Sequence, residues 1–130
     1  MPQRTVHYVP LKSAAGTELV NYAFTGGTNV LSAPVSTTLN NGFSALLLVA
    51  GTGTLDMDAS YDLSLDGHNW YTPSTTDGAT LTTTGAIVTA ATESEWIIYT
   101  PQVAPWTRFH IDPDNTATWS IYYIHQEDAS

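Results

Sequence analysis

The stretch Thr54-Leu55-Asp56-Met57-Asp58-Ala59-Ser60-Tyr61-Asp62-Leu63-Ser64-Leu65 decides the fold class. Leu55, Met57, Ala59, Tyr61, Leu63 and Leu65 fall on every second position, and Asp56, Asp58, Ser60, Asp62 and Ser64 fall between them. Successive side chains of a strand point to opposite faces, so this period of two predicts a long antiparallel strand with one buried and one wet face. The carboxylates on the wet face also discourage edge-to-edge pairing of sheets.

Outward from this stretch, nearly every segment reads as strand or turn. Thr, Val, Ile, Tyr and Trp recur in short blocks cut by Gly, Pro, Asn and Asp, and no block carries a 3.6-residue apolar period long enough for a helix. Toward the N-terminus, Leu19 to Phe24 reads as a first body strand, and Val30 to Leu39 as a second that Pro34 bends or places at an edge. Asn40-Asn41-Gly42 is a turn signal. Toward the C-terminus, Asp66-Gly67-His68-Asn69 predicts a turn, Leu81 to Val88 a hairpin turning near Gly85, and Trp96 to Thr100, Trp106 to Ile111 and Thr118 to His125 the last strands. The expectation is an all-β chain: a single antiparallel β-sandwich with jelly-roll or Greek-key wiring. Residues 1–17, interrupted by Pro10 and ending in small polar residues, read as an extended N-terminal arm ahead of a sandwich domain at 18–130.

Phe43-Ser44-Ala45-Leu46-Leu47-Leu48-Val49-Ala50 breaks the alternation, being apolar apart from Ser44. Such a strand is covered on both faces, by an arm, a loop or another subunit.

Composition narrows the partners. The 130 residues include only three basic side chains, Arg4, Lys12 and Arg108, against twelve acids, for a net charge of −9. Phosphate neutralisation drives nucleic-acid binding, so neither DNA, RNA nor an anionic membrane is an expected partner. Two of the three basic residues lie in the first twelve, and the remainder holds Arg108 against every acid. With no cysteine, thiol catalysis and Cys-ligated zinc are excluded.

Candidate chemistry is sparse. Ser64, Asp66 and His68 hold triad residue types, but they share one tight turn and lack a Gly-x-Ser-x-Gly elbow. Glu93 and Glu95 share a strand face at a spacing loosely like that of inverting glycosidase carboxylates, without an aromatic-lined groove beside them. Asp112 and Asp114 bracket Pro113 in a turn and are the calcium candidates. The four histidines show no zinc spacing. Arg108 shares a strand face with Trp106 and His110, which suits pairing with a carboxylate or stacking on Trp106. Trp70 and Tyr71 suit either a sugar-stacking platform or a plug at the end of the core. No catalytic residue, cofactor site or resident metal is expected, and the chain is read as a non-enzyme.

Residues 61–71 carry Ser64-x-Asp66-Gly67-x-x-Trp70 behind an alternating strand. Pro105-Trp106-Thr107-Arg108-Phe109-His110-Ile111 supplies a later aromatic-x-Arg strand, and Thr118 to His125 a last one. Together these segments, about a third of the chain, resemble the small β-sandwich proteins of tailed-phage virions, most of all the capsid decoration (cement) proteins. Discoidin-like binding domains share the hairpin, whereas the sialidase Asp-box carries one more residue between Asp and Gly. The resemblance implies a structural virion protein on the capsid exterior, a homotrimer that binds the major capsid protein and stabilises the shell. It implies a capsid-binding arm with Arg4, His7, Tyr8 and Lys12, and a subunit interface near the trimer axis with Phe43, Leu46, Leu47 and Leu48. A carbohydrate- or receptor-binding module of a phage tail or fibre is the alternative.

Overall fold

A computed structural model describes residues 3–37, 44–83, 85–99 and 104–129, and among them twelve strands and no helix. In chain order these are β1 (Gln3–Pro10), β2 (Tyr22–Phe24), β3 (Val30–Leu31), β4 (Val35–Ser36), β5 (Ser44–Thr52) and β6 (Met57–Ser64). There follow β7 (Ser74–Asp77), β8 (Thr80–Thr83), β9 (Ala86–Ala91), β10 (Glu95–Tyr99), β11 (Trp106–Pro113) and β12 (Ala117–Ala129). Two antiparallel sheets pack on one another, as the alternation predicts. The front sheet runs β1-β12-β5-β10, with β2 also on β12; the back sheet runs β3-β11-β6-β9, with β4 also on β11. From β9 onward, consecutive strands alternate between the sheets. No helix long and apolar enough to cross a membrane occurs among the described residues.

The core lies between the sheets. Phe24, Leu46, Leu48, Trp119 and Ile121 enter it from the front, and Met57, Phe109 and Ile111 from the back. Removing these side chains from water is the main stabilising term. Trp119 also donates its indole N–H to the Gly53 carbonyl at 3.0 Å, which satisfies the one polar group it buries. Beside it the β5–β12 register shifts at a bulge between Thr118 and Ser120. A β-carbon at Gly51 would sit 2.1 Å from the Thr118 carbonyl oxygen, so only glycine lets the strands approach there.

Four expectations need correction. Residues 3–10 do not stand apart as an arm: β1 pairs with β12 from Gln3↔Ala129 to Pro10↔Tyr122. Leu11 then enters the core cluster, so the division at 17/18 does not separate an arm from a body. Nor does the second hairpin turn at Gly85; β7 and β8 pair from Ser74↔Thr83 to Asp77↔Thr80 and turn at Gly78, whose φ of 62° suits glycine. Where one strand was expected over 30–39, the described residues 30–37 hold two short strands on β11, β3 and β4, with Pro34 between them. Finally, the alternation of β6 fails at its end, where Leu65 is exposed while Asp62 and Ser64 are buried.

Candidate functional site

The hairpin motif is a self-contained turn. Ser64 Oγ accepts the N–H groups of Asp66 (3.2 Å) and Gly67 (2.8 Å) and donates to Asp66 Oδ1 (3.0 Å). Asp66 Oδ1 accepts the N–H groups of His68 and Asn69, both at 2.8 Å, and Oδ2 accepts the Asn69 side-chain amide at 2.7 Å. These donors, the Asn69 backbone N–H foremost, hold the Asp66 carboxyl well below the usual carboxylate range. Ser64 is buried and its proton is committed to Asp66, so the pair shapes the turn. Gly67 takes φ 78° under the Trp106 indole.

Behind the turn, on the outer face of the back sheet, lies a polar cluster around Asp62. Cross-strand register sets Arg108 opposite Asp62 and His110 opposite Ser60. Asp62 accepts from Thr72 Oγ1 at 2.9 Å and from Arg108 Nε at 3.1 Å, and lies 2.5 Å from His110 Nε2. Burial alone would raise its carboxyl, but the hydrogen bonds from His110, Thr72 and Arg108 outweigh that and hold it below the ordinary value. Arg108 thus pairs with a carboxylate, as expected, but stacks on Trp70 instead of Trp106, at 4.7 Å from the ring centroid. Trp70 belongs to this surface and does not plug the core.

At the far end of the same sheet, the β6–β11 register sets Asp58 opposite Asp112. Asp58, Asp112 and Asp114 bring one carboxylate oxygen each within 4.8 Å of one another. Sequence spacing singled out Asp112 and Asp114; Asp58 joins them only through cross-strand pairing. A cation there would draw three oxygens from these side chains, about half of a calcium shell. Asp58 Oδ1 already accepts the Ala90 N–H at 2.6 Å. Partial desolvation, with the charges of Asp56, Asp58 and Asp112, pushes the Asp114 carboxyl up.

The outer face of the front sheet is different in kind. The register lines up Trp96, Leu47, Tyr122 and Pro10 in one row across β10, β5, β12 and β1, and Ile98, Ala45, Ile124 and Tyr8 in the next. Val6 continues the apolar surface along β1. Tyr8 is 72% exposed, Ile98 69%, Trp96 58% and Val6 55%. Between these side chains runs a shallow groove of about 370 Å³, lined by Val6, Tyr8, Leu47, Trp96, Tyr122 and Ile124. No charged side chain among the described residues falls in these rows.

The residues expected to meet partners scatter. Of the four expected at a subunit interface, Leu46 and Leu48 are fully buried in the sandwich core and Leu47 points to the outer face; Phe43 lies outside the described residues. Of the four expected in a capsid-binding arm, Tyr8 stands on the outer face. His7 faces the other way and stacks on His125 with ring centroids 5.1 Å apart. Lys12 is exposed and bridges Glu18 through the backbone. Arg4 sits opposite Asp128 in β1, and its side chain lies outside the described residues. Sequence reasoning missed Trp96, Ile98, Tyr122 and Ile124. Their signal was present: 96–99 and 121–124 are runs without a polar residue, like 45–49, and three such runs in one sheet leave an apolar outer face.

Comparison with protein-family models and with curated proteins finds no match. Solved structures do match, among them the crystal structure of the SPBc2 prophage-derived protein YomS. That superposition has a TM-score of 0.52 at 8% identity and covers 98% of this chain and 96% of the other. The likeness is one of fold, over the whole length of both chains.

Proposed function

We propose that this chain is a structural protein of a tailed-phage particle that works by adhesion, seated on the capsid exterior as a decoration protein, self-associated as a trimer, and bracing the shell against internal pressure. The observation that carries this reading is the open apolar face of the front sheet. An antiparallel sheet facing water alternates apolar and polar residues, and this one does not, in a chain that is otherwise strongly acidic. Such a face is built to be covered by protein. The fold shared with a prophage-derived protein supports the phage setting. The polar constellations support adhesion too, since the Ser64–Asp66 groups are spent on the turn and Asp62 on holding Arg108 and His110. A clamp of this kind stabilises the closed shell by binding it in preference to the open one.

The test is co-sedimentation of the full chain with expanded, DNA-free shells of the phage whose genome carries it. The expected result is saturable binding and a higher temperature of shell rupture; shells that neither bind the chain nor gain stability overturn the reading. The carbohydrate alternative has one observation in its favour, the exposed ring of Tyr71, since the Arg108 guanidinium covers Trp70. Glycan binding that Tyr71→Ala abolishes would favour that module over the clamp.

A further inference from the structure

We infer that the outer face of the front sheet is covered by a second copy of this chain. The inference deepens the adhesive reading by naming what lies on the face, and it starts from charge. The rows through Trp96, Leu47 and Tyr122 and through Ile98, Ile124 and Tyr8 hold no charged side chain among the described residues. Whatever lies on them must be uncharged over the same area, because a charge buried there would lose its hydration with no counter-charge to replace it.

The molecule itself supplies one such surface. The opposite outer face, that of the back sheet, carries Asp58, Asp62, Asp112, Arg108 and His110, and does not complement an apolar wall. The front face complements itself. Copies that each carry a net charge of −9 repel, and an interface free of acids is the region where they can meet without bringing like charges together. Area points the same way. With Val6, Tyr8, Trp96 and Ile98 each more than half exposed, the open apolar surface is on the order of 500 Å². That is the larger part of the roughly 800 Å² that each partner buries in a stable interface. Sheets stack face to face at about 10 Å, so two copies can meet across a twofold, or three can turn their front faces to a common axis.

The test is sedimentation velocity on the full chain over a dilution series, beside Trp96→Glu and Ile98→Glu. Both side chains point outward from the edge strand β10, so each substitution puts a charge on the face without entering the core. The wild type is expected to sediment as a dimer or trimer. Each face variant is expected as a monomer with an unchanged circular dichroism spectrum, its self-association weaker by roughly a hundredfold or more. Leu81→Glu, at an exposed apolar position in the β7–β8 hairpin, is the control and leaves assembly intact. A wild type that stays monomeric at the highest concentration overturns the inference, as do two folded face variants that assemble like the wild type. If one variant does not fold, the other decides. Shell binding is scored separately: an assembled chain that ignores shells sinks the virion reading alone, and a monomer that binds them sinks this inference, and the trimer with it, while the capsid-binding reading stands.

Discussion

The two sheets are built from the same residue types and share one core, yet their outer faces have opposite chemistry. On the back sheet, the positions between core residues hold Asp58, Ser60, Asp62, Arg108, His110 and Asp112, and strand pairing brings Arg108 and His110 into hydrogen bonds with Asp62. On the front sheet, the equivalent positions hold Leu47, Trp96, Ile98, Tyr122 and Ile124. The centre of the back face is satisfied within one chain, because Arg108 and His110 pair with Asp62. The front face is unfinished, because apolar groups gain nothing from water. A sandwich needs one buried face per sheet to fold; what it does with the other face is free to carry function.

The contrast is sharpest inside β5, where neighbouring leucines serve different faces. Leu48→Ala should cost about 2–5 kcal/mol in urea unfolding, since it opens a cavity in a close-packed core. Leu47→Ala should cost the isolated subunit less, as its side chain lies on the outer face and is only partly buried. Equal losses at the two positions would mean that the outer face is as much a core as the inner one.

A smaller effect is expected on the back face. Asp62→Asn removes the charge that holds Arg108 and His110, for a loss of about 1–3 kcal/mol at neutral pH. Because the folded carboxyl titrates below the unfolded one, its stabilisation is fully present above about pH 4 and is lost as pH falls through the lower folded value. Thermal melts of wild type and variant should therefore converge on acidification. A gap that stays constant down to strong acid would show that the network acts through packing and not through charge.

The smallest effect has the opposite sign. Asp114 is pushed up by partial desolvation and by Asp56, Asp58 and Asp112, so its ionised form opposes folding at neutral pH and the penalty fades as pH falls through the raised value. Asp114→Asn should raise the melting temperature slightly at low ionic strength, and added salt should shrink the gain. A lower melting temperature would show that the carboxylate makes a favourable contact that outweighs the repulsion.

Much of this was legible along the chain, and the misreadings share a cause. The alternation in 54–65 identified the strand and its inward residues Leu55, Met57, Ala59 and Tyr61. It misplaced Asp62, which is only 6% exposed because Arg108, His110 and Thr72 come to it from elsewhere in the chain. It misplaced Leu65 because the Ser64–Asp66 turn begins one residue earlier and ends the pleat. The apolar run Ala45 to Val49 predicted a strand covered on both faces; within one chain Leu46 and Leu48 are buried in the core, whereas Leu47 lies on the outer face, which the chain itself leaves open. Residues 3–10 read as an arm because their partner, β12, lies at the other end of the sequence. For the same reason, deleting 1–17 removes an edge strand and Leu11 from the core, and is not a clean removal of a tail.

Strand character, the turn at Asp66 to Asn69 and the acidic balance follow from the sequence alone. They are local or summed properties: a pleat has a period of two, glycine tolerates positive φ, and charges add. Which strands became neighbours was decided only when the sheets formed. Pairing joins residues a hundred positions apart, and its energy belongs to the whole set of contacts instead of to any one segment. That choice gathered three separate apolar runs onto one face of one sheet and the carboxylates onto the other.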